Sequence, residues 1–316
     1  APGRPELGTD DFRTPNPPFG ALLTYNLREA PTTAHEARQA AEKALRDKGA
    51  DAPFPGFDRL RDEVLEAGPK VLLIVSDAAG HQVRWIEGEA TAGLHRVSWD
   101  LRGPSPDPVD LTPPGFVAPW DAPSTGPLMA PGRYSAQLVV VSSSGVRSLG
   151  SAQSFQVKPV ATLSPGTDVA AVVAFQQQTA EAERRVAAAG AELGRAREQL
   201  RAMRATLVGT PRADPALYLA TDSVTRAVAA IERRLYGDPA RGRLNESDAP
   251  SIAGRVGQVI GGHWETRQMP TATQRRELEI AVGGLAELER DVRALLDGNL
   301  ARLRAAFTAA GAPWIP

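Results

Sequence analysis

The sequence predicts an α+β protein of two domains: an antiparallel β-sandwich followed by a long-helix antiparallel three-helix bundle or coiled coil. Three observations carry this. The chain has 316 residues, about two domains' worth. Before residue 160 short β-like runs alternate with Pro and Gly. After it, apolar residues recur every three or four positions through Ala-, Arg- and Glu-rich stretches.

Residues 1–20 hold five Pro and almost no periodic apolar pattern, and read as an extended arm ordered only against something else. The sandwich is expected over 21–160, opening with a strand at Ala21–Asn26. A helical insert over about 33–67 follows, with Thr33 as N-cap of a helix to Lys48 and a second, shorter helix over Phe57–Ala67. Lys70–Ser76 is a buried strand, and Asp77-Ala78-Ala79-Gly80 is a turn in which Gly80 supplies the positive φ. Through His81–Glu87, alternation puts Val83 and Trp85 on one buried face. In Leu94–Leu101 it puts Val97, Trp99 and Leu101 in the core, with His95 as a half-buried structural histidine. Trp99, Val97, Tyr134 and Gly80 are the expected structural core of the sandwich.

Residues 102–131 carry nine Pro without periodicity, together with Phe116, Val117, Trp120, Leu128 and Met129. Structureless loops this long are uncommon and often functional. The plainer reading is a Pro-stiffened flap over its own sandwich. The functional one is a contact loop, with Phe12 of the arm and Phe116, Trp120 and Met129 as partner-contact residues. Arg133–Val141 and Ser151–Val157 complete about seven strands.

The domain over 161–316 starts with a helix signalled by Ser164-Pro165. Its seam is Val172, Phe175, Thr179, Ala182, Val186, Ala189, Leu193, Ala196, Leu200, Met203 and Leu207, about five heptads. Asp214–Tyr236 is a second helix on Leu217, Ala220, Val224, Ala227, Ile231 and Leu235. A short stretch, Ile252–Ile260, ends at Gly261-Gly262, and Gly257 and Gly261 read as small residues for close helix packing. Ala272–Ala310 is the last helix, its register slipping one place around Leu295-Leu296 as a stutter. The two long helices, about 55–60 Å each, are expected to form an antiparallel hairpin with the shorter segments alongside.

Composition narrows the function. With no Cys, thiolate metal sites and Cys nucleophiles are excluded. A formal charge of −1 argues against a dedicated nucleic-acid binder. The longest aliphatic run, Val71–Val75, is far too short to span a bilayer, so the chain reads as soluble. Only four basic residues are Lys (43, 48, 70, 158) and the other 32 are Arg, interleaved with Glu. This reads as the coding bias of a GC-rich genome. The chain begins with Ala1 and shows no signal peptide, which fits a processed chain or a piece of something longer; an extracytoplasmic, periplasmic or cell-surface location is expected.

Catalytic motifs are few. His35-Glu36-Ala37-Arg38-Gln39 begins like a zinc-protease helix but has Gln39 where the second His must stand. Gly254–Gly262 matches neither nucleotide fingerprint, and Asn245-Glu246-Ser247 reads as a chance sequon. Asp10-Asp11 and Asp107/Asp110 sit in Pro-rich loops, without the rigid setting that separates two carboxyl pKa values. The expectation is no catalytic residue, no cofactor, no metal and no small-molecule ligand.

Three runs carry a resemblance: Val75–Trp85 with Asp77 and Gly80; Ala92–Leu101 with Gly93, His95, Trp99 and Asp100; and Ala130-Pro131-Gly132-Arg133-Tyr134. They resemble the bacterial Ig-like sandwich found in flagellar hook-capping proteins. With Asn16–Ala21, Thr24-Tyr25, the Pro-rich insert and the Ala/Arg helices, nearly the whole chain is similar to the C-terminal region of bacterial sortilin-like β-propeller proteins, often labelled BNR-repeat glycosyl hydrolases. In those proteins the propeller precedes this region and carries any sialidase-type site. The spacing Asp77 to Gly80 is one residue too long for the propeller's Asp-box, so the resemblance implies an accessory part and not a hydrolase. The function expected is a non-catalytic scaffold or stabiliser within a larger envelope assembly, with peripheral association to a membrane complex as one form. The alternative is an accessory glycan-binding module, for which Trp120, Phe116 and Trp85 are the only aromatic platforms.

Overall fold

The computed structural model describes residues 17–109, 111, 115–116, 118, 125–159 and 166–315. The protein is α+β, with antiparallel sheets and long helices. It divides into two compact units: residues 3–104 with 128–162, and 105–127 with 163–316 plus the first two residues.

In the sheet unit, β1 (Ala21–Leu27) pairs with β4 (Gly93–Trp99), Leu23 opposite Val97 and Tyr25 opposite His95. A five-stranded sheet has β2 (Lys70–Asp77) between β3 (Gln82–Gly88) and β5 (Gly132–Ser142). The far edge of β5 is shared by β6 (Gly145–Ser148) and β7 (Gln153–Val157). The sheets share two apolar clusters. Tyr25 and Leu27 pack with Val71, Leu73 and Val140, and Trp99 packs with Val75 and Tyr134. Trp99, only 1% exposed, donates its indole N–H to the Arg102 carbonyl at 2.9 Å and meets the Tyr134 ring edge-on at 5.1 Å. Val97 flanks the first cluster and Tyr134 is buried, as expected.

Two expectations fail on the second sheet. Trp85 is 58% exposed, because the β2–β3 register slips between Val75 and Ser76. A bulge there adds one residue to β3, so Val83 and Ile86 face the core and Trp85 turns to the other face. Gly80, with φ +86, shapes the turn but is exposed and belongs to no core. Asp77 Oδ1 accepts from the Ala79 and His81 amides and closes that turn.

Between β1 and β2 lie α1 (Ala34–Asp47), capped by a Thr33–Glu36 capping box, and α2 (Phe57–Leu65).

In the helical unit, α3 (Val169–Thr206), α4 (Ala216–Tyr236), α5 (Pro239–Arg243), α6 (Ile252–His263), α7 (Ala272–Ala294) and α8 (Ala301–Ala309) occur in order, and all but α5 surround one apolar core. All eleven predicted seam positions from Val172 to Leu207 are buried. The α3 N-cap is Asp168, accepting from the Ala171 amide; Ser164-Pro165 lies outside the described residues. A π-helical turn over Leu295–Leu300 joins α7 to α8 and absorbs the predicted register slip.

The long helices are parallel, not an antiparallel hairpin. Arg185 of α3 pairs with Glu289 of α7, and Gln199 of α3 with Arg304 of α8, the members of each pair 104 and 105 residues apart. Between them the chain descends twice. α4 runs antiparallel along α3, through Arg204–Asp222 and Arg197–Glu232. α6 then continues downward, Ile252 against Gly284 and Arg255 paired with Glu277. α6 also runs through Gly261-Gly262 to His263, held by burial of that histidine against Phe175. Gly257 and Gly261 face solvent with nothing within 4 Å of an added Cβ, so they serve no helix contact here.

Candidate functional site

The Pro-rich segment 105–127 belongs to the helical unit, not to the sheet unit it was expected to cover. Its anchor is Trp264, a buried residue at the end of α6 whose indole N–H donates to the Thr125 carbonyl at 3.0 Å. Pro106, Ala118, Gly126 and Pro127 are buried with it. Beneath lies Gln176, buried on α3, whose side-chain amide donates to the carbonyls of His263 (2.9 Å) and Thr266 (3.1 Å). A buried polar residue beside the apolar seam holds the turn that presents Trp264. Sequence reasoning passed over Gln176, although it lies one place off the heptad positions, where a buried amide needs backbone partners.

The expected contact residues separate. Phe116 stands 87% exposed, with Val109 and Leu111 equally free. Met129 is half-buried against the Trp99–Tyr134 cluster, its amide donating to the Leu101 carbonyl at 2.7 Å, and so belongs to the core rather than to a contact face. Phe12 and Trp120 lie outside the described residues, as does Asp110.

A second set of groups gathers on α1 and α2. Glu63, 8% exposed, is the one buried residue of the two helices. It accepts from Arg38 Nε at 2.8 and 2.9 Å, lies 3.2 Å from His35 Nδ1, and faces Arg59 at 3.4 Å. Arg38 also donates to Glu42 at 2.5 Å. The Arg38 guanidinium holds the Glu63 carboxyl down at about 2. His35, the first residue of the zinc-like motif, is thus spent on an ion cluster. No group of three His, Asp or Glu suited to a metal occurs among the described residues. Glu66 fastens the pair to the sheets, accepting from the Ala34 amide at 2.7 Å and from the Ser143 hydroxyl.

Other carboxyls are displaced by partners within and between elements. Hydrogen bonds from Arg185 lower Glu289, and those from Arg226 lower Asp222. Asp248 is lowered by the amides of Asp238 and Ala249. Glu183 on α3 goes the other way, raised by burial and then by Asp107 of the Pro-rich segment. Two open grooves lie among the described residues of the helical unit. One, about 690 Å³, lies between the N-terminal halves of α3 and α7 on Phe175, Ala182, Leu278 and Val282. The other, about 650 Å³, lies at the end of α4 beside Arg197, Arg233 and Tyr236. No helix among the described residues is long and apolar enough to cross a membrane.

Comparison of the chain with protein-family models, with curated proteins and with solved structures returns no match.

Proposed function

We propose that the chain is a non-catalytic, extracytoplasmic structural or interaction protein, in which an Ig-like sandwich and a three-column helical bundle scaffold or stabilise a larger assembly. One observation carries this reading. Of thirteen large apolar side chains at least 65% exposed among the described residues, seven fall in two segments outside the sheets and the bundle: Val109, Leu111 and Phe116, and Phe54, Phe57, Val64 and Leu65. Concentrated exposed apolar surface is the mark of an interaction site. The resemblance to the region that follows the propeller in sortilin-like proteins supports the same reading. Native purification from the envelope fraction, with mass spectrometry of co-eluting proteins, tests it. Stoichiometric partners lost in Phe116→Ser support it, and a monodisperse monomer that carries nothing overturns it.

The alternative, an accessory glycan-binding module, gains from the outward turn of Trp85, whose indole N–H is fixed on Gln82 Oε1 at 2.9 Å. Calorimetric titration of wild type and Trp85→Ala with envelope glycans separates the two readings.

A further inference from the structure

The sheet unit is uneven: two strands, β1 and β4, face five. β4 lies at the β3 side, joined to it through residues 89–92, and Arg84 of β3 donates to the Gly103 carbonyl just past β4 at 3.3 Å. β1 therefore lies toward β5, and its outer edge makes no backbone hydrogen bond among the described residues. Edges of this kind are usually guarded by charge, shortness or a bulge. β3 carries Arg84, Glu87 and the register slip, β4 carries Arg96, and β6 and β7 divide their edge into four and five residues. β1 has none of these. Its seven residues are uncharged, contain neither Gly nor Pro, and pair with β4 in one unbroken register. Beside that edge, Ala21 and Leu23 and, on the facing sheet, Leu138, Leu149, Phe155 and Val157 pack against the clusters yet stay half-buried.

From this contrast we infer that β1 is the acceptor edge for an extended segment of a partner protein, which adds beside it as a third strand. The inference rests on the proposed interaction role and names the kind of segment that is bound. Main-chain hydrogen bonds to the free edge supply the affinity, and alternate side chains set the register. Charge complementarity fixes the chemistry of the segment. β1 offers no charge on either face, and the half-buried surface beside it is apolar. A charged side chain of the partner turned inward there would be buried without a counter-charge. The partner segment is therefore uncharged over about seven residues, the length of β1, and apolar at every second position. Residues 1–16 of this chain do not match, with three Pro and five charged residues. A second copy of β1, paired about a two-fold axis, does not match either. The five-stranded sheet extends past β1 beneath the added strand, and the same sheet of a copy would collide with it.

The test is calorimetric titration and hydrogen exchange of the full chain with a synthetic seven-residue peptide of alternating Val and Thr, blocked at both ends. In the free chain, alternate amides of β1 are expected to exchange fast; with peptide they become protected, while α3 does not change. Leu22 and Asn26 lie on the exposed face of β1, opposite Ser98 and Leu94. Wild type is expected to prefer this peptide over one with Glu in place of Thr. Leu22→Lys with Asn26→Lys is expected to shift that preference toward the Glu peptide by about fivefold, through cross-strand pairs. Val146→Lys, at an exposed residue of β6, is expected to leave it unchanged. A cooperative denaturation at the wild-type midpoint shows that each variant is folded. No binding of either peptide by wild type overturns the acceptor edge, as does an unshifted preference in the double variant. So does protection of every β1 amide in the free chain, which would assign the edge to this chain's own residues. A dimer in sedimentation that the peptide dissolves also overturns it, in favour of a second copy. Co-purification of envelope proteins through Phe116 does not depend on β1, so the acceptor edge can fail while the scaffold reading stands.

Discussion

The α1–α2 hairpin and the α3–α7 pair use the same residue types to opposite ends. In α3, Ala182, Ala189, Ala196 and Leu193 are sealed inside, and arginines and glutamates ride on the outside. In α1 and α2, Glu63 is sealed inside, and Phe57, Val64 and Leu65 ride on the outside. α1 and α3 both start at side-chain N-caps, Thr33 and Asp168. The comparison teaches that amphipathicity says a helix has two faces, and that neighbours decide which face is covered. Core burial stabilises the α3–α7 pair. The α1–α2 hairpin is held by charge, which solvent and pH reach easily.

The largest effect should come from emptying a core. Trp99→Ala removes the centre of the second sheet cluster and is expected to cost about 3–5 kcal/mol on chemical denaturation; a loss under about 1 kcal/mol would show that Trp99 is not central. Leu285→Ala, fully buried in α7, is expected to cost about 2–5 kcal/mol. A value within about 0.5 kcal/mol of zero would remove the contrast with the hairpin.

The hairpin should respond to charge instead. Glu63, ordinarily near 4.5, is held down at about 2 in the folded hairpin. Its contribution is therefore complete above pH 4.5 and is lost as pH falls through about 2. Hydrogen exchange over residues 34–66 should accelerate in that window, and in Glu63→Gln at neutral pH, while the centre of α3 stays protected. Uniform exchange across both regions would break the comparison. The smallest effect is expected at Val64→Ser, within about 0.5 kcal/mol of wild type, measured by denaturant midpoint. A larger loss would mean that this face is covered in the isolated chain.

Much of the fold was legible because it follows local period. The eleven-residue seam of α3, the Thr33 cap and the slip at Leu295 all reflect spacing along one element. Trp85 was misread because a bulge is set by the partner strand. In the alternation of β3 alone, Val83 and Trp85 are indistinguishable from a core pair. Of the contact residues, Phe116 kept its exposed place, while Met129 was drawn into the Trp99 cluster by a backbone bond to Leu101. Loop composition does not contain that bond.

The amino-acid order alone determined where the chain turns helical or extended, because propensity, capping and hydrophobic period act within a few residues. It also determined that two cores exist. Tertiary structure alone decided the rest. α4 and α6 descend in succession, so that α3 and α7 run parallel; the Pro-rich segment lies with Trp264; and α2 turns Glu63 inward. Each of these rests on contacts between residues far apart in the chain, whose free energies no local window contains.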